Sequence, residues 1–144
     1  MQYGLCHLSV IPVRLEPSDT SELVSQLLYG DCFKVLEHRK AWSRIRLSFD
    51  KYEGWIDNKQ FQLIKESAYK ELQKETPTLS TDLVDFISDK NNQLYPILLG
   101  SNLNGLSYLE HYFEGAKSKG KLNKSDIVNT GLLYLNTPYL WGGK

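Results

Sequence analysis

The stretch VSQLLYGDCFKVLEHRKAWSRIRLSFDKYEGWI, residues 24–56, decides the fold of this chain. Short apolar runs alternate in it with polar and turn residues, and WSRIRL, residues 42–47, has the alternation of a half-buried hairpin strand. Gly30 and Gly54 mark tight turns or bulges. Extended to residues 3–64, the pattern predicts about five short strands joined by tight turns, which together form a small β-barrel.

Residues 65–78 have a different composition. KESAYKELQK is rich in helix formers, and the Thr-Pro-Thr that follows interrupts it, so this segment is predicted to be a partly helical linker. Beyond it, the segments TDLVDFI, QLYPILLGSNL and SYLEHYFEGAK predict further strands, with a hairpin turn at Asn104 and Gly105. Residues 79–122 are therefore expected to form a second, smaller β module.

The last segment, residues 123–144, contains SDIVNTGLLYLN, which has the spacing of an amphipathic helix. Ser125 is the predicted N-cap, and the helix is expected to end before Pro138. Ile127 and Leu132 fall near one face. That face is apolar enough to need a partner surface.

The charge balance excludes several classes of partner. The chain of 144 residues carries 17 Lys and Arg against 17 Asp and Glu, so nothing favours a nucleic acid or an anionic membrane. The one basic cluster, Lys117, Lys119, Lys121 and Lys124, is interpreted as a solvated turn. No signal peptide or membrane-spanning stretch is recognisable, which predicts a cytoplasmic protein.

The cysteines and histidines do not form a chemical site in the sequence pattern. Cys6 and Cys32 are expected to be buried free thiols, and His7, His38 and His111 have no spacing typical of metal ligands. We therefore expect no metal and no cofactor, and none of these residues is assigned a catalytic role.

Two motifs resemble known families. Residues 24–56 resemble bacterial SH3-like modules, in which Gly-acid, a strand, Trp-x-x-Val/Ile and Tyr-x-Gly-Trp-Ile follow one another. LNTPYLWGGK, residues 135–144, is similar to the opening of the catalytic domain of NlpC-type cysteine peptidases, in which the nucleophilic cysteine follows several residues after Trp-Gly-Gly.

In this order the motifs resemble the γ-D-glutamyl-L-diamino-acid endopeptidases, also called dipeptidyl-peptidase VI. The resemblance implies a mainly β chain: an SH3-like barrel (residues 1–64), a linker (65–78) and a second SH3-like module (79–122). Residues 123–144 would be the first helix and PYLWGG segment of a papain-like α+β domain, truncated before its cysteine. The expected partners are that missing catalytic domain and murein stem peptides with a free N-terminal L-Ala, met during cytoplasmic recycling.

The resemblance also implies roles for four residues. Tyr52 in KYEGWI and Glu16 in RLEPSD would approach the substrate amine, since a phenol and a carboxylate both accept hydrogen bonds from an ammonium group. Tyr139 and Trp141 would line the catalytic cleft of the intact protein. For Tyr52 a structural role in capping the barrel core stays equally open on the residues alone, and Glu16 before a proline suits a solvated loop.

Three hypotheses therefore follow from the sequence. The leading one is a non-catalytic substrate-recognition region of a murein-peptide cysteine peptidase, without peptidase activity of its own. The alternative is a stand-alone SH3-like binding module for cell-wall peptide or a protein partner. A eukaryotic-type SH3 domain for proline-rich ligands ranks last, because the Ala-Leu-Tyr-Asp-Tyr-like start is absent.

Overall fold

The computed structural model describes residues 1–120 and 123–144 and is mainly β. Lys121 and Leu122, including one member of the predicted basic turn, lie outside the described residues. The first seven strands are Gln2–Cys6 (β1), Val10–Arg14 (β2), Leu23–Leu28 (β3), Cys32–His38 (β4), Trp42–Leu47 (β5), Glu53–Asp57 (β6) and Phe61–Ile64 (β7). They form one antiparallel sheet in the order β3-β2-β6-β5-β4-β1-β7.

The alternation in β5 works as the sequence predicts. Ser43, Ile45 and Leu47 are buried, whereas Arg44 and Arg46 point to solvent. The inward side chains of the barrel form one cluster, made of Cys6, Ile11, Val13, Leu27, Phe33, Val35, Ile45, Leu47 and Ile56. The predicted fold class is confirmed: SH3-like antiparallel β structure with a helix near the C-terminus.

Helix α1, Glu66–Lys74, lies in the segment predicted to be a partly helical linker. It is more than a connector, because it buries Ala68, Tyr69 and Leu72. The Tyr69 ring stacks on Tyr3 of β1 with centroids 4.3 Å apart. The helix thus closes one side of the barrel.

The second module contains two small antiparallel sheets. Its strands are Thr78–Ser80 (β8), Val84–Asp89 (β9), Leu94–Leu98 (β10), His111–Tyr112 (β11) and Lys117–Lys119 (β12). The order is β10-β9-β11 in one sheet and β12-β8 in the other. Ile87 and Ile97 from this module are fully buried in a cluster that also contains Leu5 and Tyr29 of the barrel. The two β units therefore share this second cluster as a common core.

The prediction of a hairpin turn at Asn104 and Gly105 is wrong. Leu103–Gly105 is a turn of 3-10 helix, and Leu106–Leu109 continues it as α2. The Asn102 side chain caps this segment by accepting the N–H of Asn104 at 3.0 Å. A local cap and packing on the core, with Leu103 and Leu109 both buried, override the turn preference of Asn-Gly.

Helix α3 spans Lys124–Leu132, and its N-cap is Asn123 rather than the predicted Ser125. The Asp126 carboxylate accepts the backbone N–H of Asn123 at 3.1 Å, which fixes the start two residues earlier. None of the described residues of α3 is buried, and Ile127, Val128 and Leu132 are each more than half exposed. No helix in the described parts of the chain is long and apolar enough to cross a bilayer.

Candidate functional site

Tyr52 ends the loop between β5 and β6. Its backbone is held on both sides: the N–H of Leu47 donates to the carbonyl of Tyr52 at 2.9 Å, and the N–H of Tyr52 donates to the Asp50 carboxylate at 3.0 Å. The side chain itself is 43% exposed. A fixed backbone with an accessible phenol suits a recognition residue better than a cap of the barrel core.

Glu16 lies in the loop between β2 and β3. The base of this loop is closed by the N–H of Leu15, which donates to the Glu22 carbonyl at 3.0 Å. The N–H of Glu16 donates to the Ser21 hydroxyl at 2.9 Å. The residue is exposed, so its carboxylate is available to a ligand.

The sheet brings the two loops to the same end of the barrel. Strands β2 and β6 are antiparallel, and Arg14, the last residue of β2, pairs with Trp55 near the start of β6. Glu16 lies two residues after Arg14, and Tyr52 lies immediately before Glu53, the first residue of β6. Both residues therefore lie just outside the sheet, at the same end of the paired strands. Tyr52 follows Glu16 by 36 positions in the sequence, and the pairing of β2 with β6 places their two loops at one end of the barrel.

The segment containing Tyr139 and Trp141 lies along strand β3, an edge of the seven-stranded sheet. The Trp141 indole N–H donates to the Glu22 carboxylate at 2.6 Å, and the N–H of Lys144 donates to the Gln26 amide oxygen at 3.0 Å. Tyr139 and Trp141 are 83% and 64% exposed. They therefore lie beside the loop of Glu16 with most of their surface in solvent.

Gly142 is required by this close approach. Its φ is +71°, and a Cβ atom there would lie 2.3 Å from the carbonyl oxygen of Leu23. Only glycine combines that backbone conformation with that contact. The Trp-Gly-Gly part of the motif thus has a physical role in docking this segment on the barrel.

A cavity of about 430 Å³ opens between the barrel, α1 and the second module. At its rim the Lys144 ammonium donates to the Asp31 carboxylate at 2.6 Å and lies 5.6 Å from the centre of the Phe49 ring. Asp31 also accepts the backbone N–H of Leu28 at 3.0 Å, which stabilises the turn that contains Gly30. Its contact with Lys144, and that of Glu22 with Trp141, were not predicted, because neither carries a local sequence pattern.

Both cysteines are free and buried, as predicted. Burial raises the pKa of the Cys6 thiol far above its usual value, and the thiol donates to the Leu8 carbonyl. Burial also raises the pKa of Cys32, whose sulfur accepts a hydrogen bond from Gln73 at 3.2 Å. A nucleophilic cysteine needs the opposite shift, so both thiols have the environment of core residues.

Two of the three histidines, His38 and His111, are engaged in structural contacts. His38 Nδ1 lies 3.0 Å from the Ser43 hydroxyl in the barrel. His111 Nδ1 lies 3.0 Å from the Tyr29 hydroxyl, and its ring stacks between Tyr29 and Tyr95. Within residues 1–120 and 123–144, no group of three or more His, Cys, Asp or Glu side chains is arranged to hold a metal ion.

The chain is similar to known proteins in one stretch of its sequence and in its fold. Residues 13–61 match the family described as "Bacterial dipeptidyl-peptidase Sh3 domain". The fold is similar to the crystal structure of an NlpC/P60 family protein from Bacillus cereus ATCC 10987, with a TM-score of 0.72 and 14% sequence identity. That match covers 98% of this chain and 66% of the other, so this chain spans just under two thirds of that structure. The curated proteins contain no match.

Residues 13–61 are therefore similar to a bacterial SH3 domain of the dipeptidyl-peptidase type. Both Glu16 and Tyr52 lie inside the matched stretch, whereas Tyr139 and Trp141 lie outside it. The likeness to the NlpC/P60 protein concerns the fold.

Proposed function

We propose that this chain is the substrate-recognition and positioning region of a cysteine peptidase that acts on murein stem peptides with a free N-terminal L-Ala. The bond cleaved is the one between γ-D-Glu and the diamino acid. The observation that carries the proposal is the meeting of the Glu16 and Tyr52 loops at one end of the barrel, inside the stretch that matches a dipeptidyl-peptidase SH3 domain.

The chemistry required is selection of a free ammonium end. A carboxylate and a phenol oxygen both accept hydrogen bonds from an ammonium group, and a charge-assisted bond is about twice as strong as a neutral one. A peptide extended at its N-terminus has an amide in place of the ammonium, so it loses the charge and two of the donors. Glu16 and Tyr52 together would therefore select short stem peptides.

The Tyr139 and Trp141 segment supports the same arrangement. The loop that carries Glu16 ends at Glu22, and Glu22 binds the Trp141 indole. A cleft lined by these two aromatic side chains would begin beside the amine-selecting loops. Because Cys6 and Cys32 are core thiols, we place the attacking sulfur outside residues 1–144. We place the reaction itself in the cytoplasm.

The test is a kinetic comparison with the complete gene product and L-Ala-γ-D-Glu-diamino acid peptide. We expect Tyr52→Phe to raise KM by roughly tenfold, since one hydrogen bond to a charged group contributes about 1.5 kcal/mol. Tyr112→Phe is the matched control, because Tyr112 is an exposed tyrosine of the second module at 61%. N-acetylation of the substrate should reduce turnover by wild type and remove the difference between wild type and Tyr52→Phe.

Two results would contradict the proposal. Equal KM values for Tyr52→Phe and Tyr112→Phe would remove Tyr52 from amine recognition. If the complete gene product binds the peptide but does not hydrolyse it, the stand-alone binding module is the correct function instead.

A further inference from the structure

A second cleft, of about 350 Å³, lies on the barrel surface against α1 and adjoins the larger cavity at Lys144, with which it shares Leu47 and Gln73. Its lining is basic and contains no acidic side chain. The lining residues are Lys34, Arg46, Leu47, Lys51, Tyr69 and Gln73. We propose that this basic cleft binds a small carboxylate-bearing ligand.

The strand register places two of the cations side by side. Lys34 of β4 pairs directly with Arg46 of β5. Like charges directly opposite on neighbouring strands destabilise a sheet. Glu53 offsets part of this repulsion, because its carboxylate binds Arg46 at 2.6 Å and Arg44 at 2.8 Å. The remaining positive charge is relieved when an anion occupies the cleft.

The lysines have no acidic partner. Within the described part of the chain, neither Lys34 nor Lys51 forms an ion pair. The ammonium of Lys34 lies 6.0 Å from the centre of the Tyr69 ring, and that of Lys51 donates to the Ser48 carbonyl. An ammonium group carries three donors, so both lysines keep capacity for an anion.

Lys51 is also held in an unfavourable backbone conformation. Its φ is +66°, in the left-handed region that favours glycine. Strain of this kind persists where the surrounding structure enforces it and is concentrated at ligand sites. The loop thus places a cation at a position where glycine would be more stable.

The cleft is suited to one kind of anion. Its volume takes a small molecule rather than a polymer, and the balanced charge of the whole chain offers no extended field for a polyanion. The Gln73 amide, which donates to Cys32, has a second N–H for an oxygen ligand. These donors fit a carboxylate group.

The identity of the molecule that supplies the carboxylate is inferred from the proposed function. A γ-linked D-Glu keeps its α-carboxylate free, and Lys51 immediately precedes Tyr52 in the same loop. Substrate amine and substrate carboxylate would then be held on either side of this loop. The cleft would thus be a second specificity site for the same peptide.

The first experiment uses succinate, a dicarboxylate without an ammonium group, titrated into the chain at constant ionic strength and followed by backbone amide chemical shifts. We expect a Kd on the order of 1–10 mM with shifts centred on Lys34, Lys51 and Gln73. The double variant Lys34→Gln/Lys51→Gln should bind roughly five- to tenfold more weakly, and added NaCl should weaken wild-type binding. Lys117→Gln/Lys119→Gln is the matched control, because it removes the same charge from two exposed lysines of β12.

Equal succinate affinity in wild type and Lys34→Gln/Lys51→Gln would overturn the proposal, as would an equal loss in both double variants. The substitution Lys51→Gly separates weaker binding from a loss of folding. We expect it to raise the melting temperature while it weakens succinate binding. Unchanged succinate affinity in Lys51→Gly would exclude Lys51 as a ligand.

The source of the ligand is tested separately with the dipeptide L-Ala-γ-D-Glu. Tighter binding of the dipeptide than of succinate, reduced by Lys34→Gln/Lys51→Gln, supports the stem peptide as the source. Tyr52→Phe should weaken binding of the dipeptide and leave binding of succinate unchanged. Failure of amine recognition and failure of the carboxylate cleft are thereby distinguishable.

Discussion

At the scale of single residues, the partly buried imidazoles of His7 and His111 make stability depend on pH. Burial lowers the pKa of His7, and burial is also the largest influence that lowers the pKa of His111, where Asp89 opposes it and His7 adds to it. Tyr29 and Tyr95 enclose the His111 ring from the barrel and from the second module. Both histidines are therefore harder to protonate in the folded chain than in the unfolded chain.

We predict that the free energy of unfolding falls on acidification. A histidine whose pKa in the folded chain lies below its ordinary value of 6.5 stabilises the fold fully when the pH is above 6.5. This stabilisation is lost as the pH falls through the lowered pKa. Urea denaturation at several pH values between 5 and 8 measures the effect. The decline should be smaller in His111→Asn, which keeps a hydrogen-bonding group towards Tyr29 without titrating.

His38→Asn provides the control for this prediction. His38 lies in the barrel, away from the shared core, and contacts the Ser43 hydroxyl. Comparison with His38→Asn separates an effect at His111 from a general effect of replacing a histidine. Identical slopes in all three proteins would contradict the role of His111.

At the scale of elements, the start of α3 offers a clear test. The Asp126 carboxylate accepts the backbone N–H of the N-cap residue Asn123 and adds a negative charge to the first turn. Asp126→Ala should therefore destabilise the helix by about 0.5–1 kcal/mol. Ser125→Ala should have no such effect, because Ser125 lies inside the helix. Hydrogen exchange of the α3 amides distinguishes the two variants, and equal protection in both would contradict the capping role of Asp126.

Local patterns predicted the elements that depend on local forces. The strands of the barrel follow from alternation, and α1 follows from helix formers before a proline. Asn104 and Gly105 do not form the predicted hairpin turn, because burial of Leu103 and Leu109 favours a helix where the dipeptide favours a turn. The placement of the Glu16 and Tyr52 loops at one end of the barrel depends on strand register, as does the position of Lys34 opposite Arg46, and no single segment encodes that register.

At the scale of the whole molecule, the shared core couples the barrel to the second module. Ile87 is fully buried against barrel residues, so Ile87→Ala should lower the free energy of unfolding by about 2–4 kcal/mol. It should also reduce amide protection in β1, although β1 belongs to the other β unit. Leu94→Ala is the control, because Leu94 is 62% exposed and its loss should cost less than about 0.5 kcal/mol.

The measurement is urea unfolding followed by two probes, one in each β unit. A single transition in wild type and Ile87→Ala is the expected outcome. Two separate transitions, with only the second module affected by Ile87→Ala, would show that the units are energetically independent.

The contact between Gly30 and Asn102 gives this coupling an evolutionary consequence. The Asn102 N–H donates to the Tyr29 carbonyl at 2.8 Å, and a Cβ atom on Gly30 would lie 1.7 Å from the Asn102 carbonyl oxygen. A recombination event that moved the barrel alone into another gene would leave Leu5 and Tyr29 without their cover. The two units are therefore expected to be inherited as a pair, and substitutions along their seam should covary between lineages.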